Sequence, residues 1–466
     1  MKKGLLASYL EGIIDREYGE NYYTLVRYFV SEFVISFLLY SMPILLDLWF
    51  ISHLKSTPSY TALGITNTFI HFLIKMAESF SVGAIILTGQ FNGVNSFRDV
   101  GRSMRDSFWA TFLFGLCSAI IIYFGAEILF SWYGAHEQII PIAIPFLRIR
   151  AFGVFFMFLF FALVGFMRGI KNTKTPMLLF IIGASIFILC DYIFIFGKWG
   201  FPALGLKGSA YATICQYIVM LIIAIGIMFY DSSYRKYSID LFSIWRDTSY
   251  IKHFFMVTWP VAIDKATIAL AYIWLGKMIA GMGFTAQTTF CAIKDIERFA
   301  FLPAIAFAQI ITFLVSNDSS RQQWQAIKSN IKKAIFLSSL AVFILLLICY
   351  KFLDMIITFF DCTREIGPVV QSVYPLVSIL VFFDLLQLIL SGALRGSGNV
   401  MIVMMVRLMI CICYFGPFSY LFAHLPIQDE TVKFMLVYGS FYIGNALMSL
   451  IYIQRFRGQD WKMQSI

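Results

Sequence analysis

The stretch FLSSLAVFILLLICY, Phe336 to Tyr350, holds no charged residue and no alternation of polarity. A barrel strand that crosses a membrane alternates apolar and polar side chains over about ten residues, so this run reads instead as the middle of a transmembrane helix. Working outward, predominantly apolar segments of about 20 to 28 residues recur from about Phe29 to about Ile453, each long enough as a helix to cross a hydrocarbon core of about 30 Å. Twelve such segments fit along the chain. Of its 466 residues 60% are hydrophobic and 13% charged, a balance that a water-soluble chain of this size does not sustain. The expected fold is therefore all-α, a polytopic membrane protein of twelve transmembrane helices.

Basic residues orient the spans. Arg98, Arg102, Arg105, Lys171, Lys174, Arg235, Lys236, Lys328, Lys332 and Lys333 fall in loops on one side, and Lys55, Lys198, Lys207 and Arg364 on the other. The richer side is expected to be cytoplasmic, with both termini there. A basic face on anionic lipid accounts for most of the net charge of +10, so nucleic acid is not expected as a partner. Near the start, Leu6, Leu10, Ile13 and Ile14 keep helical spacing around Glu11, Asp15 and Arg16, which predicts an interfacial amphipathic helix over 1–22 rather than a cleaved signal. None of the eight cysteines has metal-ligand spacing, so they are read as packing residues.

Gly165-Phe166-Met167-Arg168-Gly169 returns as Gly392-Ala393-Leu394-Arg395-Gly396, a displacement of 392 − 165 = 227 residues. Leu87 before TGQFNGVN and Leu314 before VSNDSSRQ share it. One constant offset predicts a duplication with six helices per half: lobes at 23–230 and 252–455, a cytoplasmic linker at 231–251 and a tail at 456–466. An even helix number puts both halves into the membrane from the same side, so a pseudo-twofold axis along the membrane normal is expected. Leu241, Phe242, Ile244 and Trp245 predict a second surface-lying helix in the linker. Duplicated halves of this kind most often serve transport by alternating access. At the ends of the repeated motif, Arg168 and Arg395 are expected beside helix carbonyls, with Gly169 and Gly396 permitting the turn.

The block FLRIRAFGVFFMFLFFALVGFMRGIKNTKTPM, Phe146 to Met177, followed by DYIFIFGKWGFPALGLKGSAYATICQY, Asp191 to Tyr217, resembles the multidrug and toxic compound extrusion (MATE) family. The nearest likeness is to the branch of bacterial DNA-damage-inducible transporters and their plant relatives. Asp47 to Ser52 (DLWFIS), Leu87 to Gln90 (LTGQ) and Phe383 to Asn399 (FDLLQLILSGALRGSGN) resemble its helix 1, helix 2 and helix 10 motifs. The resemblance spans nearly the whole chain. It implies a V-shaped, two-lobed antiporter driven by protons or sodium, without cofactor, exporting small organic ions, and a monomer in the bilayer.

An ionisable group at mid-bilayer costs at least about 2.5–3.5 kcal/mol and so marks a functional candidate. In the resembled branch, acids matching Asp47 and Asp191 form a protonation site, with an Asn one turn before the second; here that place holds Phe187. Asp384 matches an acid used for cation binding in other branches, and Gln387 follows it one turn on. Those branches also use a helix 7 acid where this chain has Ile268; Asp264 lies one turn earlier and is a further coupling candidate, the alternative being a pair with Lys265 or a salt bridge to helix 8. Helix 8 carries Lys294, Asp295, Glu297 and Arg298, and helix 2 carries His71, Lys75 and Glu78 along one stripe. With Lys265, these groups form either a wall that binds an anionic or zwitterionic substrate or a wetted, self-paired surface. Arg148 and Arg150 resemble a family motif that pairs with an acid in the same lobe, and Arg407 has no counterpart. Phe155, Phe156, Phe160 and Phe161 could line a hydrophobic chamber.

The sequence contains no HExxH, no GxSxG, no phosphate-cradling glycine loop and no histidine cluster, so no catalytic or metal site is expected. A lipid-linked oligosaccharide flippase of the same superfamily is the nearest alternative. Polar residues at limited depths disfavour a channel.

Overall fold

The computed structural model describes residues 18–52, 57–133, 139–241, 250–360 and 367–462. Within them the regular elements are helices, and twelve are long and apolar enough to span a bilayer. These are α1 Tyr22–Tyr40, α2 Ala62–Gly93, α3 Phe97–Ser131, α4 Ile140–Gly169, α5 Lys174–Phe196, α6 Leu206–Tyr230, α7 Ile251–Ala280, α8 Leu302–Ser320, α9 Trp324–Lys351, α10 Gly367–Gly396, α11 Val400–His424 and α12 Glu430–Arg457. The all-helical, twelve-span expectation is met. Short helices extend the ends: Met42–Ser52 follows α1 after a break at Ser41, and Phe284–Ala300 leads into α8. A π turn, Cys411–Phe415, interrupts α11. The expected surface helix at 1–22 lies almost wholly outside the described residues, as do Phe242, Ile244 and Trp245 of the linker.

The chain forms two compact units, Phe37–Ala262 and the described residues up to Ser36 together with Ile263–Ile466. These differ from the lobes expected at 23–230 and 252–455 by an exchange: most of α1 belongs to the C-terminal unit, and the first part of α7 to the N-terminal one. Local contacts explain the exchange. In the C-terminal unit the Lys333 ammonium donates to the carbonyls of Tyr18 (3.0 Å) and Glu20 (3.1 Å), and Asn330 accepts from the Glu20 amide at 2.8 Å. Phe29 then stacks on Phe307 at 4.8 Å. In the N-terminal unit Asp106, 227 residues before Lys333, accepts from the Tyr250 amide at 3.1 Å, and Phe254 packs at 5.9 Å from Phe80, the repeat partner of Phe307.

The repeated Gly-x-x-x-Gly motif has a different cause from the one expected. The left-handed residues that end these helices are Lys171 (φ 62°) and Gly398 (φ 86°), again 227 apart, rather than Gly169 and Gly396. The motif glycines instead let helices touch backbone to backbone. A Cβ on Gly165 would lie 2.5 Å from the Ser81 carbonyl oxygen, and one on Gly392 would lie 2.8 Å from that of Ala308. Gly169 and Gly396 meet Thr88 and Thr312 as closely, at 2.6 Å. So α4 lies against α2, and α10 against α8, by the small-residue packing that membranes favour.

Each unit is also fastened by the segment after its last helix. Asn172 donates to the Tyr234 hydroxyl at 2.8 Å, and its repeat partner Asn399 donates to the Trp461 carbonyl at 2.9 Å. Tyr234 and Trp461 are themselves 227 residues apart, and both are buried. The start of the stretch expected as a tail is thus packed on its unit as far as Trp461. Burial of Tyr234 raises its phenol above the ordinary value, offset in part by its bonds to Thr175 and Asn172. Asn172 also caps α5 by accepting from the Thr175 amide at 3.2 Å. Asn172→Ala is expected to cost about 1 kcal/mol, seen as a lower thermal midpoint of the purified protein.

Candidate functional site

In the C-terminal unit, α7, α10, α11, α12 and the Phe284–Ala300 helix bring polar groups into an otherwise apolar interior. Asp264 of α7 is clamped between two guanidinium groups: Arg395 of α10 at 3.0 Å, and Arg407 of α11. Arg395 also bonds the Ser391 hydroxyl at 3.1 Å. Its side chain thus serves Asp264 rather than the carbonyls at its own helix end, and Arg407 gains a partner that no local pattern in the sequence announced. Each oxygen of the Asp264 carboxylate thus faces a guanidinium group. The salt bridges of Asp264 come from helices 10 and 11, not from helix 8.

Glu297 was grouped on sequence with Lys294, Asp295 and Arg298, but the structure separates them. Arg298 pairs with Asp295 at 3.5 Å on a partly exposed face, and Lys294 lies over the Phe290 ring. Glu297 turns inward and accepts from the hydroxyls of Tyr438 and of Tyr442, the latter at 2.8 Å. Asp384 accepts from the Asn445 amide at 3.1 Å. Both carboxylates are buried, are reached from Tyr442 and Asn445 on one stripe of α12, and have no Lys or Arg within ion-pair distance among the described residues. Gln387, one turn beyond Asp384, is fully buried. Sequence reasoning missed Tyr438, Tyr442 and Asn445, although their i, i+4, i+7 spacing draws one polar stripe along α12.

In the N-terminal unit Asp191 of α5 is fully buried. The helix Met42–Ser52, which carries Asp47, packs on α5, with Phe50 at 6.1 Å from Phe196; the Asp47 side chain lies outside the described residues. On α2, Lys75 lies 3.2 Å from the Glu78 carboxylate, which also accepts from the Tyr40 hydroxyl, so this part of the stripe is self-paired. His71 of the same stripe is exposed, and Lys265 of α7 in the other unit is half-buried. Arg148 pairs with Glu127 at 2.9 Å. Arg150, by contrast, has no carboxylate within ion-pair distance among the described residues and lines a cavity of about 70 Å³. Of the phenylalanines expected in a chamber, Phe160 and Phe161 are packed in the core, with Phe160 at 5.3 Å from the lining residue Phe180.

The 227-residue offset links the two places. Glu297 and Asp384 are the repeat partners of Ile70 and Met157, and both of these line the N-terminal cavity. One locus is acidic in the second half of the chain. In the first it is apolar, with a cation in its wall.

The family model MatE matches twice, over residues 33–193 and 260–421, two segments whose starts are also 227 apart. Among curated relatives, the chain is 24% identical over 339 residues to a probable multidrug resistance protein YoeA of Bacillus subtilis, covering 71% of each chain. It is 24% identical over 399 residues to the uncharacterized transporter YisQ of the same organism, covering 82% of this chain and 86% of the relative. A solved multidrug resistance MATE family transporter of the MOP superfamily, in an outward-facing conformation, superposes with a TM-score of 0.83 at 18% identity, covering 93% of this chain and 94% of the other. A MOP superfamily transporter from Pyrococcus furiosus, described as having a binding pocket of reverse polarity, gives 0.82 at 18% identity, with 93% and 94% covered.

Proposed function

Because the chain belongs to the MatE family, a family of transporters rather than enzymes, we propose that it is an antiporter exporting small organic solutes in exchange for protons or sodium ions by alternating access. The observation that carries this reading is the buried Glu297 and Asp384 pair of the C-terminal unit. Two carboxylates in a low-dielectric interior repel each other, and a proton or sodium ion relieves that repulsion. The hydroxyls of Tyr438 and Tyr442 and the Asn445 amide supply the remaining polar contacts. Gln387, close by, offers a carbonyl to a metal cation. Loading drives exchange only if it favours one conformation of the protein over the other by a few kcal/mol.

In this reading Asp264 holds α7, α10 and α11 together, and Asp47 with Asp191 forms a second proton-loading position, supported by the packing of their two helices. The Asp295–Arg298 group serves as wetted surface, while Lys75 pairs with the buried Glu78. The distribution of Lys and Arg supports a cytoplasmic location for both termini.

The test is gradient-driven movement of a rhodamine dye in proteoliposomes, with internal pH and sodium followed in parallel. Glu297→Gln and Asp384→Asn are each expected to lower gradient-driven flux about tenfold or more, and the double variant to bring it to background. Full gradient dependence in the double variant would overturn the assignment.

A further inference from the structure

We propose that the cavity of the N-terminal unit is a docking site for a carboxylate, so that the solutes this protein takes include anionic and zwitterionic organic acids. This deepens the export reading and rests on it only in treating the bound solute as cargo.

The cavity is lined by Arg150, which is 9% exposed, by Thr213 and Tyr217, both buried, and by the exposed His71. Among the described residues that line it, Arg150 is the one permanently charged group and none is acidic. The Nη1 nitrogen of Arg150 is buried and has no hydrogen-bond partner. Its guanidinium carbon sits 5.8 Å from the Phe146 ring centre, a contact that satisfies a face of the group but none of its N–H donors. A guanidinium with a buried N–H left without an acceptor is costly, and the ligand that best repairs it is a planar oxyanion. Asn67 and Gln216 add amide donors on the wall.

Nearby charges do not already answer Arg150. Lys75 and Glu78, on the same helix as His71, neutralise each other. Asp191 lies one turn past the lining residue Phe187 and is not on the cavity surface. Beside Arg150 the same cavity, of about 70 Å³, is lined by Ile70, Ile74, Met157, Phe180 and Phe187, which suit the aromatic or aliphatic skeleton that carries the carboxylate. The sequence repeat sharpens the contrast, because the same positions in the second half of the chain carry Glu297 and Asp384.

The test uses a matched pair of dyes: rhodamine 110, which bears a free carboxylate, and its methyl ester rhodamine 123, which does not. Equilibrium binding to the purified full chain in nanodiscs is read by fluorescence anisotropy without any ion gradient, so the outcome is separate from whether exchange occurs. Wild type is expected to favour rhodamine 110. Arg150→Gln is expected to lose about tenfold in affinity for rhodamine 110 while keeping rhodamine 123 within about twofold. Should Arg150→Gln not fold, displacement from the wild type decides: benzoate is expected to compete with rhodamine 110 and benzamide is not. An unchanged ratio of the two dyes in Arg150→Gln, equal competition by benzoate and benzamide, or no saturable binding of rhodamine 110 overturns the proposal.

Discussion

Asp264→Ala is expected to destabilise the folded protein by about 3–5 kcal/mol, because it leaves two guanidinium groups buried with no counter-charge. Arg395 and Arg407 have side-chain exposures of 6% and 3%, so water cannot take over the role of the carboxylate. The effect should appear as a large drop in thermal midpoint and in the monodisperse fraction after solubilisation. Removing all three charges together, as Asp264→Leu with Arg395→Met and Arg407→Met, is expected to recover most of the loss, since no unpaired charge then remains in the interior. If the single variant stays within about 1 kcal/mol of wild type, the clamp does not contribute to stability as described. The comparison also separates roles: a loss of transport in the triple variant with stability restored would show that the three-residue clamp has a duty in transport besides holding α7, α10 and α11.

Gly165→Val and Gly392→Val should be about as damaging as each other, at or above the upper end of the 1–3 kcal/mol typical of overpacking. In both cases the obstacle is a backbone carbonyl, of Ser81 or of Ala308, which cannot rotate away as a side chain would. The helices would have to separate along the whole α2–α4 or α8–α10 contact. Gly226 supplies the control: a Cβ there meets nothing within 4 Å, so Gly226→Ala should be neutral or slightly stabilising through helix propensity. Thermal midpoints of the three variants decide the matter, and a harmless Gly165→Val would show that the close approach is not needed.

Much of the architecture could be read without coordinates, because span length and the 227-residue repeat depend only on where apolar and punctuating residues fall. The polar interior was less legible. Asp264 finds partners 131 and 143 residues away, and nothing local marks which acid on a helix will meet which arginine. Glu297 groups with its sequence neighbours on spacing alone because i, i+3 and i, i+4 positions identify who can pair, not which side chain the helix turns inward. The Gly-x-x-x-Gly motif was read as turn chemistry, although in a bilayer the same residues equally let two backbones meet. Arg150 looked like half of a structural pair; that its neighbour Arg148 alone takes an acid depends on the position of Glu127 on α3.

The exchange of α1 and α7 has a consequence for how such a chain can be divided or assembled. Severing it between residues 231 and 250 would give two fragments, each short of the helix segment that completes its own unit and carrying one that belongs to the other. Expressed alone, neither fragment should hold together; expressed together, they should complement. A half-length forerunner would have met the same constraint, and trading its first helix with a second copy of itself is the association that satisfies it.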